Sequence, residues 1–411
     1  MTKKHCIRAG WLIDGSGGAI QKDVLLTVSG GKIVAIEPYS PSAVTAADSL
    51  TDFSYGTLLP PLIDCHVHLA MSGTMNRTTR EQQLVAGCAE LMPVIEQNLT
   101  LLAGHGVLAV RDGGDRENCV LKYIDRGIAA NQQPVHIQTP GRAWHRQGRY
   151  GTLIGSGIAE EESLVDVCSA NPISSGYIKL VNSGLNSLKN FGRETPPQFA
   201  KDEIRQLVEM AERQGKKVMV HANGQQPVRE AVEAGCHSVE HGFFMGRDNL
   251  ERMAEHGCVW VPTTCTMKAY AEILEYEGDM ASSEVARKNL EHQLGQLRIA
   301  RQLGVKVALG TDAGSPGVLH GESAFEEMKL LAKAGYALPE IVHCATLAGA
   351  RLLELPNMGL LAPGRMADFL VARGAPAQLP RKLSYLETIY LGGEPAQFYR
   401  KNPVKHVQKR Y

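Results

Sequence analysis

The chain has 411 residues, too many for one small core, and its 44% hydrophobic and 21% charged content is that of a globular protein. Lys+Arg and Asp+Glu both number 43, so no basic field is present to attract nucleic acid or an anionic membrane. No segment reaches the roughly 18 apolar residues of a membrane span, no signal-peptide run opens the chain, and nine cysteines without metal or redox spacing suit a reducing cytoplasm.

Residues 5–57 read as strands and turns. Segments 23–28 and 32–36 flank Ser29-Gly30-Gly31, a hairpin signal, and Asp14-Gly15-Ser16-Gly17-Gly18 is another turn. At Leu58 the rhythm changes to strand, loop, helix, repeated. Residues 58–63 form an apolar run, read as one short buried strand, that leads into Asp64-Cys65-His66-Val67-His68. Residues 81–103 have helical spacing, with Leu84, Cys88, Leu91 and Ile95 on one face. Strands are expected at 107–110, 135–138, 177–181, 218–221, 238–241, 259–263 and 305–310, and helical stretches such as 202–214 and 284–303 separate most of them. With the Leu58 strand these make eight, the pattern of a closed parallel (β/α)₈ barrel of the α/β class over residues 58–358. From residue 359 short strands return at 367–371 and 384–390, and they are expected to join residues 1–57 in one β-sandwich domain built from both termini. Residues 401–411 read as a polar, basic tail.

Barrel enzymes carry their chemistry at the carboxyl ends of the strands. There this chain places His66 and His68, then Lys179, His221, His241 and Asp312. Alternate strand residues share a face, so His66 and His68 point the same way, half of a metal site. The plainer reading of such a pair is two satisfied core histidines. Lys179 lies between Ile178 and Leu180, and an ammonium there is costly to bury unless it snorkels outward or pairs. Carboxylation by carbon dioxide would turn its amine into an anionic carbamate able to bridge two cations. Asp312, between Gly310 and Gly314, can ligate metal and accept a proton; its plainer role is a helix N-cap. His5, His105, His136, His237, His256, His292, His343 and His406 read as structural, while His145 and His320 lie in expected barrel-mouth loops.

These pieces resemble the amidohydrolase superfamily: Ile63-Asp64-Cys65-His66-Val67-His68, Tyr177-Ile178-Lys179-Leu180, Val220-His221-Ala222-Asn223, Val239-Glu240-His241-Gly242 and Gly310-Thr311-Asp312-Ala313-Gly314. Leu12-Ile13-Asp14-Gly15, residues 345–350 and residues 363–368 extend the likeness over nearly the whole chain. Val110-Arg111-Asp112-Gly113-Gly114 and residues 231–242 look most like the binuclear branch with prolidase-like dipeptidases and carboxypeptidases. The resemblance implies two divalent ions, zinc foremost. His66, His68 and Asp312 would hold one, His221 and His241 the other, with carboxylated Lys179 bridging and a hydroxide attacking the substrate carbonyl. Asp312 would also be the general base. Two departures bear on substrate: Asn223 stands where such relatives often have a second histidine, and residues 141–151 lack their Gly-Gly-His pattern.

The resulting expectation is a metal-dependent hydrolase of an amide bond in a dipeptide or N-acyl amino acid. Alternatives are a mononuclear deaminase or cyclic-amide hydrolase, a non-peptide amide or carbamate hydrolase, and a metal-free scaffold. The partner expected is a small-molecule substrate, with no nucleic acid or membrane; homo-oligomer formation stays open. Residues 141–151 hold three arginines, a histidine and two aromatics between glycines, and follow the third expected strand. They are read as a mobile loop at the mouth, in which Arg149 or Arg142 captures a substrate carboxylate beside Tyr150 and His145, while Asn223 meets the scissile carbonyl.

Overall fold

A computed structural model of the chain describes residues 4–45, 48–127, 134–172 and 176–399; the expected tail and His406 lie outside them. The chain opens with β1 (His5–Leu12), β2 (Gln21–Ser29), β3 (Lys32–Pro38) and β4 (Ser49–Leu59). Gly30 and Gly31 join β2 to β3 with φ of 58° and 77°, the conformation a two-residue hairpin turn demands and glycine allows. Leu58 and Leu59 end β4 rather than opening a barrel strand. Pro60 and Pro61 have no N–H to extend its ladder, and β5 (Leu62–Val67) begins after them.

The barrel strands are β5, β6 (Val107–Asp112), β7 (His136–Gln138), β8 (Ala143–Arg146), β9 (Gly155–Ile158), β10 (Tyr177–Val181), β11 (Lys217–Ala222), β12 (Ser238–His241) and β13 (Val259–Val261). They lie in two parallel runs, β5-β6-β7 and β13-β12-β11-β10-β8-β9. The third expected strand is thus split. β7 pairs with β6, the chain steps sideways, and β8 pairs with β10 on one side and β9 on the other. The eighth expected strand is an extended segment that seals the barrel. Trp260 N donates to Lys306 O (2.8 Å), Ala308 N to Trp260 O (3.0 Å) and Cys65 N to Leu309 O (2.8 Å).

The helices are α1 (Arg77–Val85), α2 (Cys88–Gly104), α3 (Cys119–Asp125), α4 (Leu164–Ala170), α5 (Lys201–Arg213), α6 (Gln225–Glu233), α7 (Gly246–His256), α8 (Cys265–Tyr276), α9 (Met280–Leu303), α10 (Glu322–Lys333), α11 (Leu338–Cys344) and α12 (Leu347–Leu352). The single helix expected at 81–103 is two, broken at Ala86-Gly87, and α1 buries none of its side chains. Elsewhere the helical period is kept: α5 buries Ile204, Leu207, Val208 and Ala211, and Glu203 turns back to cap the N–H of Ala200. In α9, Asp279 accepts from Ser282 N (3.0 Å) and Gly304 closes the helix at φ 71°. Ile63, Cys65, Ala109, Val261 and Ala308 pack with Ala350 and Leu352 in a plug that fills the barrel below the site.

Cys88, at the start of α2, and Cys119, at the start of α3, form a disulfide, a pairing that cysteine spacing did not indicate; the remaining seven cysteines are free and buried. The chain closes with β14 (Phe369–Arg373), β15 (Leu386–Leu391) and β16 (Glu394–Pro395). These complete one seven-stranded sheet, β16-β15-β14-β4-β1-β2-β3, drawn from both termini as expected. Among the described residues no helix is long and apolar enough to cross a membrane.

Gly310 marks where the sealing segment presses on the site. A Cβ there would stand 2.3 Å from Val261 Cγ1 and 3.0 Å from His66 Cβ. Gly310→Ala is expected to cost about 1–3 kcal/mol and to lower the thermal midpoint. Thermal unfolding measures it, and an unchanged midpoint would mean that the wall yields freely.

Candidate metal centre

The strand ends converge as alternation requires. β5 delivers His66 and, one residue past its end, His68; their rings lie 5.5 Å apart. The segment after Gly310 curls back over β5, with Asp312 N donating to His66 O (2.7 Å) and His68 N to Ala313 O (2.7 Å). Asp312 Oδ1 then stands 3.2 Å from His68 Nε2 and 3.7 Å from His66 Nε2. One donor atom from each of these three residues lies within 4.8 Å of the others, a cluster able to hold an ion. His241 at the end of β12 stacks against the same group, 4.9 Å from His66 and 4.6 Å from His221 at the end of β11. Lys179 comes up from the middle of β10, 1% exposed. Its Nζ is buried and, among the described residues, has no hydrogen-bond partner.

What orients these rings lies one layer deeper. Glu240 is fully buried beside His241. Its Oε2 is 2.7 Å from His66 Nδ1, which leaves His66 Nε2 turned to the centre. Its Oε1 accepts from Arg111 Nη2 (2.7 Å) and from Ser238 Oγ (2.6 Å), and Arg111 Nε reaches Cys65 O (2.8 Å). His241 Nδ1 is held by Thr263 Oγ1 at 2.7 Å, again leaving Nε2 for a ligand. Asp64 ties β5 to the closing loop, accepting from Thr311 Oγ1 (2.6 Å), Thr311 N (3.0 Å) and His66 N (3.2 Å). Asp312, His241 and Thr263 hold φ at 60°, 68° and 45°. Such left-handed backbone costs non-glycine residues about 1–3 kcal/mol each, and here it gathers at the centre.

Burial sets the protonation states. It pushes His66 down to about 4 and His221 to about 3, with the Lys179 charge adding to both, so the imidazoles are neutral and ready to ligate. Burial also lowers Lys179 to about 8, against the pull of Glu240, which brings its amine within reach of the neutral form. Glu240 goes the other way. Burial raises it, but Arg111 and His66 outweigh that and hold it ionised at about 2.

The centre floors a cavity of about 320 Å³, walled by Tyr150, Leu153, Leu185, Asn223, Phe243, Met267, Tyr270 and Arg80. Tyr150 and Asn223 both border this cavity, Tyr150 with its ring 5.2 Å from His221. The other loop expectations are corrected. Residues 143–146 are the buried strand β8, not a mobile loop. Arg142 faces another hollow, beside Trp144, and donates to Asn118 Oδ1 (3.2 Å) and Ser156 Oγ (3.1 Å). Arg149 reaches Pro196 O (3.0 Å) on the outside. His145 is buried, its Nδ1 2.8 Å from Arg146 O, and neither it nor His320 borders the cavity. Sequence reasoning gave no role to Glu240, Arg111, Thr263, Tyr270 or Arg80. For Glu240 and Arg111 a signal existed, a charge inside an apolar strand, the same signal that singled out Lys179.

Glu240→Gln is expected to release Arg111 and to loosen His66, weakening metal binding about 10–100-fold. Metal titration of the variant tests this; wild-type affinity would remove the orienting role.

Residues 57–395 match the amidohydrolase family. An uncharacterised protein of Mycobacterium tuberculosis is 27% identical over 358 residues, 86% of this chain and 88% of that one. The ochratoxinase of Aspergillus niger is 26% identical over 411 residues, 92% of this chain and 82% of that one. Among solved structures, a Xaa-Pro dipeptidase with methionine bound in its active site superposes with a TM-score of 0.80 at 24% identity, covering 96% of this chain and all of that one.

Proposed function

The chain belongs to the amidohydrolase family, and we propose that within it the protein is a binuclear metal-dependent hydrolase cleaving the amide bond of a dipeptide or an N-acyl amino acid. The observation that carries this reading is the Lys179 amine, buried among neutral imidazoles in the cavity that Asp312 also lines and, among the described residues, without a hydrogen-bond partner. As an ammonium it would repel cations; as a carbamate it would join them. The neutral amine adds to carbon dioxide, an N–C bond forms, and one proton leaves.

The donor set fits metal. His66, His68 and Asp312 would hold one ion, His221 and His241 a second, with carboxylated Lys179 between; imidazole and carboxylate donors suit zinc. When bound, the ions would polarise the scissile carbonyl and acidify a water. Asp312 is the proton carrier. Its Oδ1 faces the histidines while its Oδ2 accepts from Ser315 Oγ (3.0 Å), so the carboxylate is held at both ends. It takes a proton from the attacking water and delivers it to the leaving nitrogen. Asn223 is fixed by Phe243 N on its Oδ1 (3.0 Å), and its NH₂, 3.4 Å from Gly184 O and beside His221, would serve as a donor for the substrate carbonyl at the cavity wall. Tyr150, also beside His221, offers a second donor. The printed names of the related ochratoxinase and Xaa-Pro dipeptidase support a hydrolytic role, the second a peptide-like substrate.

A mononuclear centre is a second reading. It is favoured by the fact that, among the described residues, only His66, His68 and Asp312 gather within 4.8 Å. Elemental analysis of metal-replete protein is expected to return two ions per chain; one ion would select the mononuclear centre. Crystallographic density at Lys179 Nζ is expected to extend by a planar three-atom group, and a bare amine in a metal-replete crystal would remove the bridge. Asp312→Asn is expected to keep the fold and lose about 10²–10⁴-fold in turnover; near-wild-type turnover would move the proton transfer elsewhere.

A further inference from the structure

Arg80 is a cation at the wall of the metal cavity; Asp312 lies within electrostatic reach, but among the described residues no carboxylate forms an ion pair with it. It rises from α1, the helix that buries nothing of its own, and its guanidinium reaches inward. Nη1 spends both its hydrogens on backbone carbonyls, Ser72 O at 3.0 Å and Gly314 O at 2.9 Å. Among the described residues no carboxylate pairs with it. What remains is the Nε–Nη2 edge, the two parallel N–H groups that receive a carboxylate in bidentate fashion. A half-buried guanidinium without an anion is costly, and its position is explained if an anion arrives with the substrate. Gly314 lies two residues beyond Asp312, so the same loop that presents the ligand carboxylate also anchors the arginine. Tyr270, on α8, borders the same cavity within electrostatic reach of both Arg80 and Asp312. Around this corner the wall is apolar, with Leu84 one turn along α1 from Arg80, then Met71, Leu153 and Met267.

We infer that Arg80 is the carboxylate anchor of the substrate, with the Tyr270 hydroxyl alongside. The ligand it selects is an N-acyl α-amino acid or dipeptide that ends in a free carboxylate and carries an apolar side chain. The inference rests on the amide-hydrolase reading and names its substrate class. It assigns the carboxylate to Arg80 in place of Arg142 and Arg149, both of which are tied up outside the cavity.

The test uses metal-replete protein, N-acetyl-L-leucine and its carboxamide. Wild type is expected to favour the acid over the carboxamide by about 100-fold in kcat/KM. In Arg80→Met that ratio is expected to fall to near one, through KM rather than kcat, and Arg80→Lys to recover part of it, since it keeps the charge without the fork. A wild type that treats acid and carboxamide alike, or an Arg80→Met variant that keeps the full ratio, overturns the anchor. If wild type hydrolyses neither compound, the amide-hydrolase reading suffers, and the anchor is read by calorimetry. Acid binding that exceeds carboxamide binding in wild type and is lost in Arg80→Met upholds it; equal binding overturns it.

Discussion

A single buried carboxylate holds this centre in register. Glu240 is fully buried in the barrel, and its ionisation depends on Arg111 on one side and His66 on the other. Removing one member of such a chain leaves an uncompensated charge in low dielectric, which is far costlier than the chain itself. The three residues come from β12, β6 and β5, so the chain ties β12 to the neighbouring pair β5 and β6, with which it forms no ladder. His66 gains its orientation from Glu240, and through His66 so does the closing loop that carries Asp312. The layer facing the cavity thus takes its geometry from a deeper one that does not border the cavity.

The upper layer is built against local preference. Asp312, His241 and Thr263 take a backbone conformation that L-residues avoid, and the plug of small and branched side chains beneath them fixes the walls that enforce it. Strain of this kind persists only where surrounding contacts over-determine the conformation. Here they do. Asp312 is bonded through its backbone to β5 and through its side chain to Ser315, and His241 is held by Thr263.

The convergence of His66, His68 and Asp312 was legible because the two histidines close an apolar strand and Asp312 follows an apolar segment that seals the barrel beside it. Arg80 was not legible. Its partners are backbone carbonyls 8 and 234 residues away, and backbone atoms leave no side-chain pattern to read. The segment after Gly141 misled for a related reason. Ala-Trp-His-Arg has no strand signature of its own, and it is a strand because Gly155 lets β9 press against it; a Cβ at Gly155 would lie 2.0 Å from Ala143 O. Pairing that depends on a missing side chain on a neighbouring strand is a tertiary fact. The sheet from both termini was readable from the return of short strands after residue 359, whereas the β4–β5 boundary turned on two prolines whose missing donors outweighed a continuous apolar run.

That sheet gives synthesis an order. Thr57 beside the end of β4 bonds to Gly374, 317 residues later, and β14 is the strand that covers the open edge of β4. At about 5–20 residues per second, a ribosome needs roughly 15–60 seconds to supply the missing strand. The barrel can close within that interval, but Leu58 and Leu59 then wait on an uncapped edge, the kind of surface that recruits other strands. The edge of β4 thus stays open in the growing chain until β14, from the far end of the sequence, arrives to cover it.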